Sequence, residues 1–166
     1  MAMHCIVGYG SLLNKMSAER TVAFGKESRP VRVYGWRRIF NFVCGEDKEV
    51  KSMDKAVLNV VPDKAIFFNG VLFEVDDAGL ERIKQRECDY DMAEVDVHCF
   101  HTNEKLGKAT LFVGKRENIM YFVHPDSEYY RLCMTGAASF GEEFLKEWNE
   151  TTFHASGKRV CEMVLK

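Results

Sequence analysis

The chain has 166 residues, 23 Lys and Arg against 25 Asp and Glu, and a composition that is 46% hydrophobic. This length predicts one domain over residues 1–166, with a real core and room for a side cleft. A net charge of −2 with no basic block or acidic tail argues against nucleic acid or an anionic membrane as partners. No run approaches the ~18 apolar residues of a membrane span, and the amino terminus shows no signal-peptide pattern. The expectation is a cytoplasmic protein. Cysteines 5, 44, 88, 99, 133 and 161 form no CxxC pair, which predicts reduced thiols and no disulfide framework. Oligomeric state is not fixed by the sequence, because scattered surface apolar residues are ordinary.

In chain order, residues 4–9 read as an apolar strand that runs into the turn Gly8-Tyr9-Gly10-Ser11. Met16 to Phe24 predicts a helix capped by Ser17, and Arg29-Pro30 closes the connection. Val31 to Val43 is strand-like and aromatic, broken or bulged near Gly35. Its Arg37-Arg38 pair reads as strand edging. Ala56–Val61 and Phe67–Val75 predict two strands joined by Pro62-Asp63-Lys64. A short helix follows, started by Asp76 and Asp77, and then a strand over 93–101, a turn through Asn103 to Gly107 and a strand over 108–113. After Pro125, Tyr130, Cys133, Met134 and Ala137 form a helical stripe, Gly141 breaks it, and Phe144, Leu145 and Trp148 make a second helix. Six strands followed by segregated helices predict α+β, with a curved antiparallel-rich mixed sheet or partial β-barrel and flanking helices.

One carboxylate stands out. Leu80 and Ile83 sit at helical spacing, and seven residues beyond Leu80 the stripe lands on Glu87, which therefore projects towards the buried side. An inward carboxylate is expensive unless it is paired, hydrogen-bonded or protonated. General acids and bases are made at such positions; the alternative is a buried salt bridge, for instance with Arg86. Cys88 beside it has no neighbouring histidine and reads as a packing residue. His98, Cys99 and His101 look like metal ligands, but on a strand their side chains diverge, so no metal is expected.

The loop Tyr9-Gly10-Ser11-Leu12 is the second candidate. Gly8 and Gly10 allow close backbone approach, and successive N–H groups in such a turn can cradle an anion. Leu13 stands where a dinucleotide fingerprint needs its third glycine, and no glycine precedes Lys15 as a P-loop requires. The glycines of a nucleophile elbow around Ser11 are also missing, since Tyr9 and Leu13 occupy those places. The loop therefore suits a small carboxylate or oxyanion, or is an ordinary turn.

Together these features resemble the γ-glutamylcyclotransferase superfamily, with its ChaC-like and AIG2-like branches. Tyr9-Gly10-Ser11-Leu12 resembles its binding loop, and Val33-Tyr34-Gly35-Trp36-Arg37-Arg38-Ile39-Phe40 its V.G..R.F strand. Asn69-Gly70-Val71-Leu72-Phe73-Glu74-Val75 resembles the next family strand, and Arg86-Glu87 with Tyr90 and Val95-Asp96-Val97 the segment of the catalytic glutamate. Pro125, Tyr129, Gly136-Ala137 and Gly141 resemble the late P...Y......GA...G helix. Met92 stands where many AIG2-like members carry arginine. The resemblance implies cyclisation of a γ-glutamyl amine, amino acid or peptide to 5-oxoproline with release of the amine, an activity of glutathione metabolism that needs no cofactor. It implies Glu87 as the catalytic residue and Tyr9, Gly10, Ser11, Leu12, Tyr90 and Tyr129 as substrate-binding residues, with Tyr130 the competing choice. Three alternatives stand beside it: a non-catalytic small-ligand or partner-binding module, a serine hydrolase pairing Ser11 with a histidine such as His124, and amide hydrolysis at the Glu87 site.

Overall fold

The computed structural model describes residues 2–21, 28–44 and 54–163. Its strands are β1 (His4–Gly8), β2 (Arg29–Phe42), β3 (Asp54–Val75), β4 (Tyr90–Cys99), β5 (Lys105–Gly114), β6 (His124–Pro125) and β7 (Thr152–His154). Its helices are α1 (Lys15–Glu19), α2 (Asp77–Arg86), α3 (Ser127–Ala138) and α4 (Glu142–Glu150). The order β3-β1-β5-β4-β2 closes on itself because β2 also pairs with β3. Within this barrel only β1 and β5 run parallel; the other neighbours are antiparallel. The short strands β6 and β7 add in parallel to β3 and β2. This is the expected α+β class, an antiparallel-rich mixed barrel with flanking helices. Among the described residues no helix is long and apolar enough to cross a membrane.

The structure corrects three local expectations. Residues 54–75 form one strand, because the segments on both sides of Pro62-Asp63-Lys64 pair with the same partner in the same direction. Tyr34 faces Phe67 and Trp36 faces Pro62, so the signal at Pro62 marks a bulge opposite Gly35, whose φ of +88° favours glycine. Helix α1 is capped by Asn14, whose side chain accepts from the Ser17 N–H at 3.2 Å; Ser17 is the residue being capped. Asn14 wins because it is the last extended residue before the helix. The rest of the expected helix, residues 22–24, lies outside the described residues.

The bulge at Gly35 also changes which face of β2 turns inward. Val31 and Val33 are fully buried before it, and Arg38, Phe40 and Phe42 after it, so the fully buried set shifts from odd to even positions. Arg38 is therefore not an edge residue. Its Nε donates to Thr152 Oγ1 at 2.9 Å, and its Nη2 to Asn69 Oδ1 at 2.9 Å, Thr151 Oγ1 at 2.9 Å and the Trp148 carbonyl at 3.1 Å. Its Nη1 donates to the Asn69 carbonyl and, at 3.5 Å, to that of Tyr9. The Trp148 and Phe68 rings lie 5.0 and 5.6 Å from the guanidinium carbon. Burial lowers its pKa to about 9, so it is still charged at neutrality.

Helices α3 and α4 cover one side of the barrel, with Cys133, Ala137, Phe144 and Trp148 fully buried. Gly141, at φ +108°, turns the chain between them, as the sequence predicted. Lysine at position 38 keeps a charge but cannot reproduce a planar fork that reaches Asn69, Trp148, Thr151 and Thr152 at once. Arg38→Lys should therefore destabilise the fold by about 2–4 kcal/mol, read as a lower urea midpoint at unchanged slope. A midpoint equal to the parent's would show that the buried fork is dispensable.

Candidate active site

Helix α2 begins at Asp76, whose side chain accepts from the Gly79 N–H at 2.7 Å, and Lys84 and Arg86 lie in its last turn, where cations suit the helix dipole. Ile83, on the inner face, is fully buried. Glu87 is the C-cap, four residues beyond Ile83, and its N–H donates to the Ile83 carbonyl at 2.8 Å. Its backbone has left the helix (φ −102°, ψ 43°), and its carbonyl accepts from Tyr90 N at 2.9 Å, where β4 starts. The helix end thus delivers Glu87 into the space between α2 and the barrel mouth.

That space is a cavity of about 440 Å³, within the usual size for small-molecule sites. Every sequence-predicted site residue lines it: Tyr9, Gly10, Ser11, Leu12, Glu87, Tyr90 and Tyr129. Tyr130 instead packs on the Phe40 and Trp148 rings. Residues 11–13 form a tight helical turn, closed by Leu13 N–H to the Gly10 carbonyl at 3.0 Å. The N–H groups of Ser11 and Leu12, first in that turn, have no acceptor within it.

Gly10 is favoured by contact. A Cβ there would lie 2.5 Å from the Tyr129 hydroxyl oxygen. Gly136 on α3 has a similar reason, since a Cβ would come within 2.6 Å of the Leu13–Asn14 main chain. The late-helix motif thus packs against the loop: Tyr129 covers Gly10, and Gly136 lets α3 touch the turn.

Among the described residues, the Glu87 carboxylate accepts no hydrogen bond, and its one ion pair is with Arg86 Nε at 3.8 Å. Burial, opposed by that cation, raises the Glu87 carboxyl above the ordinary glutamate value. Burial also pushes the Tyr9, Tyr90 and Tyr129 phenols well above their usual range, so all are neutral at pH 7. Tyr9 donates its hydroxyl hydrogen to the Phe112 carbonyl at 2.7 Å, and Tyr90 donates to that of Leu58 at 2.8 Å. With those hydrogens committed, the two oxygens can act only as acceptors towards any further partner.

Sequence reasoning weighed Arg86 only as a salt-bridge partner. Its guanidinium also binds Ser11 Oγ and Ser17 Oγ, both at 2.9 Å. The partner of Ser11 is therefore a cation, and not a general base. His124 is elsewhere, paired through Nδ1 with His154 Nε2 at 2.8 Å, so the serine-hydrolase pairing is not formed. Among the described residues no group of His, Cys, Asp and Glu is placed to hold a metal.

A closed mixed barrel with a glycine turn after its first strand and one partly buried carboxylate beside it defines a γ-glutamylcyclotransferase-like fold. The family model for ChaC-like proteins matches residues 4–141, and the chain belongs to that family. Solved structures agree on the fold. A γ-glutamyl cyclotransferase superposes with a TM-score of 0.70 at 15% identity, covering 89% of this chain and 86% of its own. A human protein described as uncharacterized gives 0.70 at 13%, covering 100% and 94%. A yeast γ-glutamyl cyclotransferase specific to glutathione gives 0.64 at 14%, covering 91% and 96%. At these identities the likeness is one of fold. No curated protein matches the sequence significantly.

The raised carboxyl has a consequence for stability. The folded state holds the Glu87 proton to higher pH than the unfolded chain does, so it binds more protons in that window and stability falls as pH rises through it. Glu87→Gln should be more stable than the parent at pH 7, and the difference should vanish below the ordinary glutamate pKa. Urea titrations of both proteins across that range check it; a pH-independent difference would contradict it.

Proposed function

We propose that this protein is a γ-glutamylcyclotransferase: it cyclises the glutamyl group of a γ-glutamyl amine, amino acid or peptide to 5-oxoproline and releases the amine. The observation that carries this reading is one partly buried carboxylate, free of hydrogen bonds among the described residues, that lines the same small cavity as the turn residues Gly10, Ser11 and Leu12. Family membership and fold support it.

In the reaction the α-amino nitrogen attacks the γ-carbonyl carbon of the same glutamyl group. A C–N bond closes the five-membered ring, and the bond to the leaving nitrogen then breaks. The nucleophile belongs to the substrate, so the protein has to hold a bent conformer and move a proton. Glu87 takes a proton from the attacking amine and returns one to the leaving nitrogen. Its raised proton affinity suits both halves of the task. The Ser11 and Leu12 N–H groups bind the glutamyl carboxylate or the developing oxyanion. Tyr9 and Tyr90, whose hydrogens are engaged elsewhere, accept from the substrate's amino group.

Hydrolysis at the same site would need a water where the internal amine lies and would yield free glutamate. A non-catalytic binding module would bind γ-glutamyl compounds and release nothing.

A panel of γ-glutamyl substrates assayed for 5-oxoproline by mass analysis separates these readings. Glu87→Gln should keep the fold and ligand binding and lose roughly 10²–10⁴-fold in kcat. Near-normal 5-oxoproline formation by that variant would sink the mechanism. Ser11→Ala should weaken binding moderately, because much of the loop's contribution is main-chain.

A further inference from the structure

Arg86 and Glu87 are consecutive residues that line one cavity. On a continuing helix their side chains would point about 100° apart. Here the chain leaves the helix at Glu87, and the two converge. A guanidinium carries five N–H groups in a fixed fork. Arg86 Nη1 donates to the Ser17 carbonyl at 2.8 Å and to Thr21 Oγ1 at 3.0 Å, while Nη2 donates to Ser11 Oγ and Ser17 Oγ, both at 2.9 Å. The remaining group, Nε, lies 3.8 Å from Glu87 Oε1.

We propose that Arg86 is a positioning residue that turns Ser11 into a hydrogen-bond donor for the substrate and seats the Glu87 carboxylate opposite it. This rests on the cyclotransferase reading above. A serine hydroxyl has one hydrogen and two lone pairs. One lone pair of Ser11 takes the Arg86 N–H, so the hydrogen points away from Arg86, and Ser11 borders the cavity. That hydrogen joins the N–H groups of Ser11 and Leu12 as a third donor to an anion. A lone pair held by a cation also makes the oxygen a poor nucleophile. The same cation opposes the effect of burial on Glu87. The other ionisable groups around the cavity are the neutral phenols of Tyr9, Tyr90 and Tyr129 together with Cys44, Cys88 and Asp89, so Arg86 is the positive charge among the residues lining it.

The test compares Arg86→Gln, which removes the charge, with Arg86→Lys, which keeps it without the fork. The Glu87 carboxyl is titrated by carbon NMR, its signal assigned by its loss in Glu87→Gln. The pKa should rise in Arg86→Gln and stay near the parent value in Arg86→Lys. Steady-state rates should show KM about tenfold higher in Arg86→Lys with kcat little changed. Introduced on top of Ser11→Ala, the same lysine should raise KM less than twofold. An unmoved Glu87 pKa in Arg86→Gln, or a KM effect in Arg86→Lys that is absent or fully additive with Ser11→Ala, would overturn the assignment. Should Arg86→Gln fail to fold, the lysine variant and its coupling to Ser11 decide alone. The titration needs no substrate. A parent protein inactive on every γ-glutamyl compound would overturn the reaction, while the titration would still decide for or against Arg86.

Discussion

A buried cation that makes no ion pair among the described residues organises this fold. Arg38 is completely enclosed, and such a cation is tolerated only where its donors are all engaged. Its partners are main-chain and side-chain oxygens from separate places: Asn69 on β3, Trp148 at the end of α4, Thr151 and Thr152 leading into β7, and the Tyr9 carbonyl. The carbonyls near the end of a helix carry the negative end of its dipole, so the Trp148 oxygen is a suitable counterpart. Displacing any one of these segments would leave part of the fork unpaired in a low-dielectric interior. The relative placement of α4, β3 and the first loop is therefore set together.

The consequence reaches the cavity through Tyr9. Its carbonyl accepts from Arg38 and from Trp148 Nε1 at 3.4 Å, and its hydroxyl is tied to Phe112 on β5. The residue before the Gly10–Leu13 turn is thus held through both its carbonyl and its hydroxyl. From the opposite side Arg86 grips Ser11 and Ser17, and from above Tyr129 closes on Gly10. This short loop is thus clamped by Arg38, Arg86 and Tyr129 together. Its precision comes from these neighbours, because the turn itself has only the internal bonds of Leu13 and Asn14.

Much of this was legible in the sequence, and the failures have physical causes. Helix α2 and its inward glutamate could be read because helical period and a start signal agreed on Glu87. The stripe over Cys133, Met134 and Ala137 fixed α3 for the same reason. Local signals failed where long-range pairing overrode them. Pro62-Asp63-Lys64 has the chemistry of a turn, and Asp63 does accept from the Ala65 N–H at 3.1 Å, yet β2 pairs with the segments on both sides of it and the chain does not reverse. Arg38 was misread because its side is decided by the bulge at Gly35, which shifts the buried parity of β2. Strands β6 and β7 are too short to show a period. The role of Arg86 was hidden because its four terminal hydrogen bonds go to residues 11, 17 and 21.

The two arginines also explain how a serine and a glutamate come to share a cavity with different chemical characters. Arg38 lies behind the loop, where it fixes the Tyr9 carbonyl. Arg86 lies at the wall, where it occupies a serine lone pair and stands beside a carboxylate without hydrogen-bonding it. A serine nucleophile would need the reverse: a base accepting its hydrogen and a free lone pair. The carboxylate, by contrast, keeps its oxygens open to the cavity and its proton affinity raised. On the proposed reading the reactive pair of electrons arrives with the substrate. The site then has to provide donors and one proton acceptor, and a guanidinium stands behind each: buried Arg38 at the Tyr9 carbonyl, and partly exposed Arg86 beside Ser11 and Glu87.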